Sequence, residues 1–409
     1  MARRVPGGAS VSAPAPHSRL TALDALRGLI MVIMALDHTR DFIHAGAMSF
    51  SPEDLTRTTP IIFFTRWVTH ICAPVFMCSA GAGAFLRLQR PGTTRRELSW
   101  FLCTRGLALI IIELVVMRMA MNFSLLTPYP LLLLVLWALG LSMIVLAALI
   151  YLPRRVLLAG SIAVILLHNA LDGVPAASFG ALSGVWNILH QPGVFFVGGI
   201  PVFAAYPLIP WFAVMALGFA FGPVFLLPPE VRRREFLKWG ALLIAGFLVL
   251  RAINIYGDPS PWSWQPSGVF TVLSFLRATK YPPSLEFLLI TLGPALLILA
   301  YLDRRSLPAT NPLVIVGRVP LFYYVTHFWL LHVVASVLAL VRYGGASLAF
   351  FNSPLPSMGG PAELFPQGFG YSLWVVYAVW IGIVVALYPA CRWFAALKQR
   401  RRDWWLSYV

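Results

Sequence analysis

Residues 20–43 are apolar enough to span a bilayer, yet they carry Asp24, Arg27, Asp37, His38, Arg40 and Asp41. At about 100° per residue, Asp24, Arg27, Met31, Met34 and Asp41 all fall within roughly 60° of His38. One charge at the middle of a bilayer costs roughly 2.5–3.5 kcal/mol on insertion scales. A helix that bears several on one face turns that face to protein, water or a substrate. This stripe is the starting point for a functional reading.

The rest of the chain fits a membrane setting. Of 409 residues, 59% are hydrophobic and 11% charged, against about 25% charged in soluble domains. A helical span needs about 20 mostly apolar residues. The sequence predicts about ten: 21–43, 60–86, 98–120, 128–151, 155–171, 206–227, 236–256, 284–302, 313–340 and 371–396. The apolar runs are continuous, without the period-2 alternation of a closed barrel. The expected fold is an all-α polytopic membrane protein.

The net charge of +16 follows the positive-inside rule rather than a nucleic-acid footprint. Arg87, Arg90, Arg95 and Arg96, then Arg154 and Arg155, Arg232–Arg234, Arg304 and Arg305, and Lys398–Arg402 alternate with nearly neutral loops. Ten spans with both termini cytoplasmic reproduce that alternation. Residues 1–19 read as a disordered cytoplasmic tail, 20–398 as one transmembrane domain and 399–409 as a basic cytoplasmic tail. The Arg3-Arg4 pair lacks the apolar stretch and cleavage site of an export signal. The outer stretches 44–59, 172–205, 257–283 and 343–370 are rich in Pro, Gly and aromatics. Two of them, 172–205 and 257–283, are too apolar for solvated loops and are expected to fold back as interfacial or re-entrant segments roofing a cavity. Cys72, Cys78, Cys103 and Cys391 fall inside apolar spans and read as core residues. No metal set is expected.

Several constellations could carry chemistry. His38 can exchange a proton near neutral pH, and Asp41, one turn on, could orient it. Arg27, near the cytoplasmic end, has snorkelling as its structural alternative, and Asp37 could reach a neighbouring helix. Arg66 and His70, at i and i+4, enter the second span from the outer side and can lie at the depth of His38. Ser79–Ala84 is a small-residue surface for helix packing. Glu113 is deep in the third span, where a buried network with Arg105 competes with lining a substrate path. Lys280 and Tyr281, above the Pro-initiated eighth span, suit an anionic or sugar-like group. Trp211 opens the sixth span with rigid aromatic chemistry. In the ninth, His327 lies one turn from Tyr323, with His332 pointing elsewhere; His168 and His190 read as interfacial or loop residues. No dinucleotide fingerprint, P-loop, HExxH, CxxC or nucleophile elbow is present.

Leu23-Asp24-Ala25-Leu26-Arg27-Gly28, Leu36-Asp37-His38-Thr39-Arg40-Asp41 and Arg66-Trp67-Val68-Thr69-His70-Ile71-Cys72-Ala73-Pro74 resemble bacterial DUF1624 membrane proteins. So do Pro207–Trp211, Thr279–Leu285 and Gly317–His327. These belong to the heparan-α-glucosaminide N-acetyltransferase-like group of transmembrane acyltransferases. The resemblance implies acetyl transfer from cytoplasmic acetyl-CoA to a hydroxyl or amine of an outer, envelope sugar-like acceptor, in a multi-pass inner-membrane protein. The Arg–x10–His spacing of Arg27 and His38 is similar to the acyltransferase-3 pattern. Phe42-Ile43-His44-Ala45 is similar to the stretch that holds the presumed catalytic His of the lysosomal relatives. The base therefore stands open among His38, His70 and His44.

The expected enzyme uses one of these histidines as general base, with Arg66, Lys280 and Tyr323 binding the acceptor or the oxyanion. Arg27, Asp37, Glu113, Trp211, Tyr281 and His327 line its substrate path. Arg87, Arg95, Arg96 and Arg318 would attract the CoA phosphates. The alternative is a proton-coupled secondary transporter or flippase built on the same His/Arg/Asp cluster. The expected partners are the bilayer, the acyl-CoA donor and the acceptor, with no nucleic acid; a homodimer is allowed by the sequence rather than read from it.

Overall fold

The computed structural model describes residues 20–47, 49–125, 129–305, 307–345, 347, 368–401 and 403–408. The expected tail 1–19, Arg402, and 348–367 of the outer stretch 343–370 lie outside the described residues.

A helix stands at each of the ten expected spans. In chain order the helices are α1 (Thr21–Ile43), α2 (Pro60–Leu88), α3 (Arg95–Asn122), α4 (Val135–Leu149), α5 (Arg154–Leu171), α6 (Ala176–Leu189), α7 (Leu208–Leu226), α8 (Pro229–Ile253), α9 (Gly268–Leu276), α10 (Leu285–Arg305), α11 (Pro312–Gly317), α12 (Pro320–Tyr343) and α13 (Leu373–Arg400). Among the described residues, eight are long and apolar enough to cross a membrane: α2, α3, α5, α7, α8, α10, α12 and α13. Helix α4 is apolar but has only 15 residues. Helix α1 has 23 residues and carries five Asp and Arg side chains.

The 172–205 stretch is not purely helical. Strands β1 (Leu131–Leu133), β2 (Gly193–Val197) and β3 (Ile200–Ala204) form a small sheet in the order β1-β3-β2. Gly198 and Gly199, both at positive φ, turn β2 into antiparallel β3, the conformation such tight hairpins require. Strand β1 adds in parallel, Leu131 opposite Val202. The architecture is that of an all-α polytopic membrane protein with this one small sheet added, and an uninterrupted apolar run carries no alternation to announce its strands.

Local signals explain the helix starts. Pro60 opens α2 behind an N-cap Thr59, and Thr94 and Glu97 form a reciprocal capping box at α3. Near its C-terminal end α3 loosens into a π turn, Ile112–Met117. That turn carries Glu113, whose carboxylate accepts from the backbone N–H groups of Leu136 and Trp137 at 2.8 and 3.2 Å. It caps the first turn of α4, satisfying N–H groups that no helix can satisfy internally.

Helix α1 is the centre of the bundle: seventeen of its residues are buried, against α2, α10, α11, α12 and α13. It meets α11 at Gly28 and Gly317, where an added Cβ would overlap the carbonyl oxygens of Leu313 and Asp24. Gly81 and Gly218 join α2 to α7 in the same way, as small-residue packing in membranes predicts.

Helix α8 packs along α10, and a buried ion pair binds them. Arg251 donates to Glu286 Oε2 at 2.8 Å and to the carbonyls of Ser260, Ser274, Phe275 and Arg277. One guanidinium thus fastens the whole 257–277 stretch to the bundle. Glu286→Ala leaves that cation buried without its anion, which costs about 3–5 kcal/mol. Thermal unfolding of the protein in nanodiscs should register the loss; unchanged melting would contradict the clasp.

Candidate active site

The C-terminal half of α1 meets α12 through a pair of imidazoles. His38 Nδ1 lies 2.7 Å from His327 Nε2, and His327 Nδ1 lies 3.0 Å from the carbonyl oxygen of Tyr323. A carbonyl only accepts, so His327 carries its proton on Nδ1 and its Nε2 accepts. His38 must then donate from Nδ1, which leaves the lone pair on its Nε2. The chain thereby fixes the orientation of the His38 ring. Phe328 and Tyr324 pack against the His38 ring, with centroids 4.2 and 6.1 Å away. His327 is fully buried, whereas His38 keeps accessible surface.

Around this pair the charges are matched. Asp37 forms an ion pair with Arg66 of α2 and lies 3.6 Å from Arg40, which also binds Asp41. One turn beyond Arg66, within a 3-10 turn at Val68–Ile71, His70 Nε2 sits 2.5 Å from Glu53 Oε1. Burial raises the Glu53 carboxyl, but His70, Arg66 and Lys280 outweigh it and hold it at about 2. His38 and His70 thus belong to one electrostatic neighbourhood, since Arg66 and Lys280 act on both.

Above them lies a cavity of about 410 Å³, lined on one side by Ser51, Glu53, Asp54 and Arg66 and on the other by Arg277, Lys280 and Tyr281. Asp258 builds the second wall. Its carboxylate accepts from Thr279 N–H and Oγ1 (2.7 and 2.9 Å) and from Ser284 Oγ (2.6 Å). The loop between those residues presents Lys280 and Tyr281. Tyr281 donates to Tyr206 at 3.4 Å, and Tyr206 packs on the buried Trp211. Burial pushes the Tyr281 phenol up, but Lys280 and Arg66 bring it below the ordinary tyrosine range.

The opposite end of α1 gathers cations. Arg27 donates to Ser79 Oγ (3.2 Å) and to the Ser79 carbonyl, and lies 3.9 Å from Asp24; Arg318, in the break between α11 and α12, lies 3.7 Å from the other Asp24 oxygen. Arg105 is close enough to feel both Arg27 and Arg87, and Arg87 stacks over Phe101 at 3.7 Å. Arg95 and Arg96 stand exposed at the start of α3.

The structure therefore brings His38, His70, Asp37, Arg66, Lys280, Tyr281 and His327 together, and Arg27 with Arg318. It draws others away. Asp41 pairs with its neighbour Arg40, and the contact made by His38 Nδ1 is with His327. His44 ends α1, where its Nδ1 accepts from Gly46 N–H at 3.1 Å and its backbone bridges to Tyr371. Tyr323 reaches the site through its carbonyl, its own hydroxyl being buried. Glu113 holds α4. His168 and His190 are each only 2% exposed: His190, in the turn after α6, sits beside Asp172, and His168, in the last turn of α5, lies between the carbonyls of Ile165 and Pro283. Glu53 and Asp258 were not singled out from the sequence; only their Pro-rich surroundings hinted at built loops.

Residues 19–256, more than half of the chain, match the family described as heparan-alpha-glucosaminide N-acetyltransferase, catalytic. No curated protein matches the chain significantly. Arg27, His38, Arg66 and His70 lie within the matched segment, while Lys280, Arg318 and His327 lie beyond it. The chain belongs to the heparan-alpha-glucosaminide N-acetyltransferase catalytic family and is an acetyltransferase with the apolar helices of a multi-pass membrane protein.

Proposed function

We propose that the protein takes acetyl from acetyl-CoA on the cytoplasmic side and transfers it to a hydroxyl or amine of an envelope sugar-like acceptor on the outer side of an inner membrane, with His38 as the base. The observation that carries this reading is the chain from the Tyr323 carbonyl through His327 to His38, which leaves one lone pair on an accessible imidazole. His38 Nε2 takes the proton of the acceptor as its oxygen or nitrogen attacks the thioester carbonyl. The C–S bond then breaks and the CoA thiolate leaves. Lys280 and Tyr281 hold the acceptor in the outer cavity. Arg66, kept in place by Asp37, adds positive potential beside the developing oxyanion.

The donor approaches from the other end. Arg27 and Arg318, with Arg87 nearby, offer cations to the CoA phosphates, and Arg95 and Arg96 add long-range attraction. Arg27 and His38 are eleven residues apart, so the donor's arm must run about 16 Å along α1 past Met31 and Met34. Helices α1 and α4 complete ten crossings with both termini cytoplasmic, which puts the arginine cluster and the outer cavity on opposite faces.

Two measurements test this. In purified protein, His38→Ala should lower the rate of acetyl transfer at least about 100-fold while leaving acetyl-CoA binding intact; a variant with full transfer would overturn the assignment. The second concerns Glu53, whose pKa falls from an ordinary 4.5 to about 2 on folding. A lowered carboxylate stabilises the fold fully above its unfolded value, and that stabilisation is lost as pH falls from 4.5 through 2. Melting temperatures across this window should drop less steeply for Glu53→Gln than for the parent protein. Parallel acid slopes would rule out the Glu53–His70 pairing.

A further inference from the structure

From Gly173 to Ala204 the chain contains no Lys, Arg, Asp or Glu. This stretch comprises α6 and the β2–β3 hairpin, and the two pack into one plate: Phe195 of β2 lies where a Cβ on Gly184 of α6 would stand. Several of the plate's polar groups are answered internally. Trp186 Nε1 donates to the Val174 carbonyl at 2.8 Å, Ala176 N–H to Gln191 Oε1 at 2.6 Å, and Asn187 Nδ2 to the Gln191 carbonyl at 3.0 Å. What remains outside is apolar. Phe179, Leu182 and Val185 stand out along α6, and Phe196, Val197 and Ile200 around the hairpin turn, with Leu182 62% and Phe196 71% exposed. Soluble surfaces rarely leave so much contiguous apolar area open.

We propose that this plate lies in the outer leaflet at the level of the lipid headgroups, its apolar side chains dipping towards the acyl chains. Continuity with the lipid-facing surface argues for lipid as the occupant: α5, a spanning helix with Leu166 and Leu167 exposed, runs into α6 through only four residues. The backbone sets the depth. Strand β2 is the edge of the sheet, and a lipid-exposed sheet edge does not occur in hydrocarbon, where its N–H and C=O groups would lack partners. The interface offers those groups water and headgroups while accepting the aromatic and branched side chains. Strand β3 leads directly to Tyr206, so this placement ties the height of the Tyr206–Tyr281 wall of the cavity to the membrane surface.

The test attaches an environment-sensitive fluorophore to Phe196→Cys in the full chain, in phosphatidylcholine vesicles. Unmodified protein taken through the same labelling is subtracted, to remove signal from native cysteines. Leu182→Cys provides a second site on α6 in case the hairpin variant misfolds. The expected result is a blue-shifted emission, quenched most by lipids with a nitroxide near the headgroup and little affected by aqueous iodide. Quenching by iodide would place the plate in water. Strongest quenching at the chain ends would place it in hydrocarbon. Protection from all quenchers would put a protein, including a second copy of this chain, on that face. Each of these three overturns the proposal.

Discussion

The charges of α1 govern the arrangement of everything around it. Asp24, Asp37 and Asp41 are buried in the centre of an apolar bundle, where an uncompensated charge is prohibitive. Each faces arginine: Asp24 with Arg27 and Arg318, Asp37 with Arg66 and Arg40, Asp41 with Arg40. Satisfying them requires α2 and the α11–α12 break to lie against α1 in one register, and the close glycine crossings permit it. A buried ion network is weak evidence for net stability. Its consequence here is positional, because the same contacts that neutralise α1 carry His38, His70 and His327 into one neighbourhood.

The two ends of α1 have different electrostatic characters. At one end cations outnumber carboxylates, with Arg27, Arg318 and nearby Arg87 around Asp24. At the other, Asp37, Glu53, Arg66 and Lys280 surround two imidazoles beneath an open cavity. The function proposed above uses this asymmetry: a polyanionic donor at the first end, a proton acceptor and a polar pocket at the second.

Much of this was legible in the sequence. The eight helices long and apolar enough to cross a membrane among the described residues follow from apolar runs, and the stripe from Asp24 to Asp41 follows from a 100° step. That Arg66 and His70 share a neighbourhood was legible from their i, i+4 spacing, although each takes its own carboxylate, Asp37 and Glu53. The contact between His38 and His327 was not, since the bond joins residues 289 positions apart and no local period encodes it. The pairing of Asp41 with Arg40 was not singled out either. The contacts of Glu113 were hidden for a related reason: its partners are backbone N–H groups of another helix, which leave no trace in side-chain spacing. The β2–β3 hairpin hid inside an uncharged run. Arg251, Glu286 and Asp258 organise the roof through carbonyls and hydroxyls that composition cannot rank.

The central claim is that His38 holds its proton on Nδ1 and its lone pair on Nε2, imposed by the Tyr323 carbonyl through His327. Nitrogen-15 shifts of the His38 ring, recorded on the full chain in nanodiscs at neutral pH, read this directly. The account predicts a pyrrole-type Nδ1 and a pyridine-type Nε2, with the Nδ1 resonance perturbed in His327→Ala. A pyridine-type Nδ1, or a His38 ring indifferent to loss of His327, would contradict it.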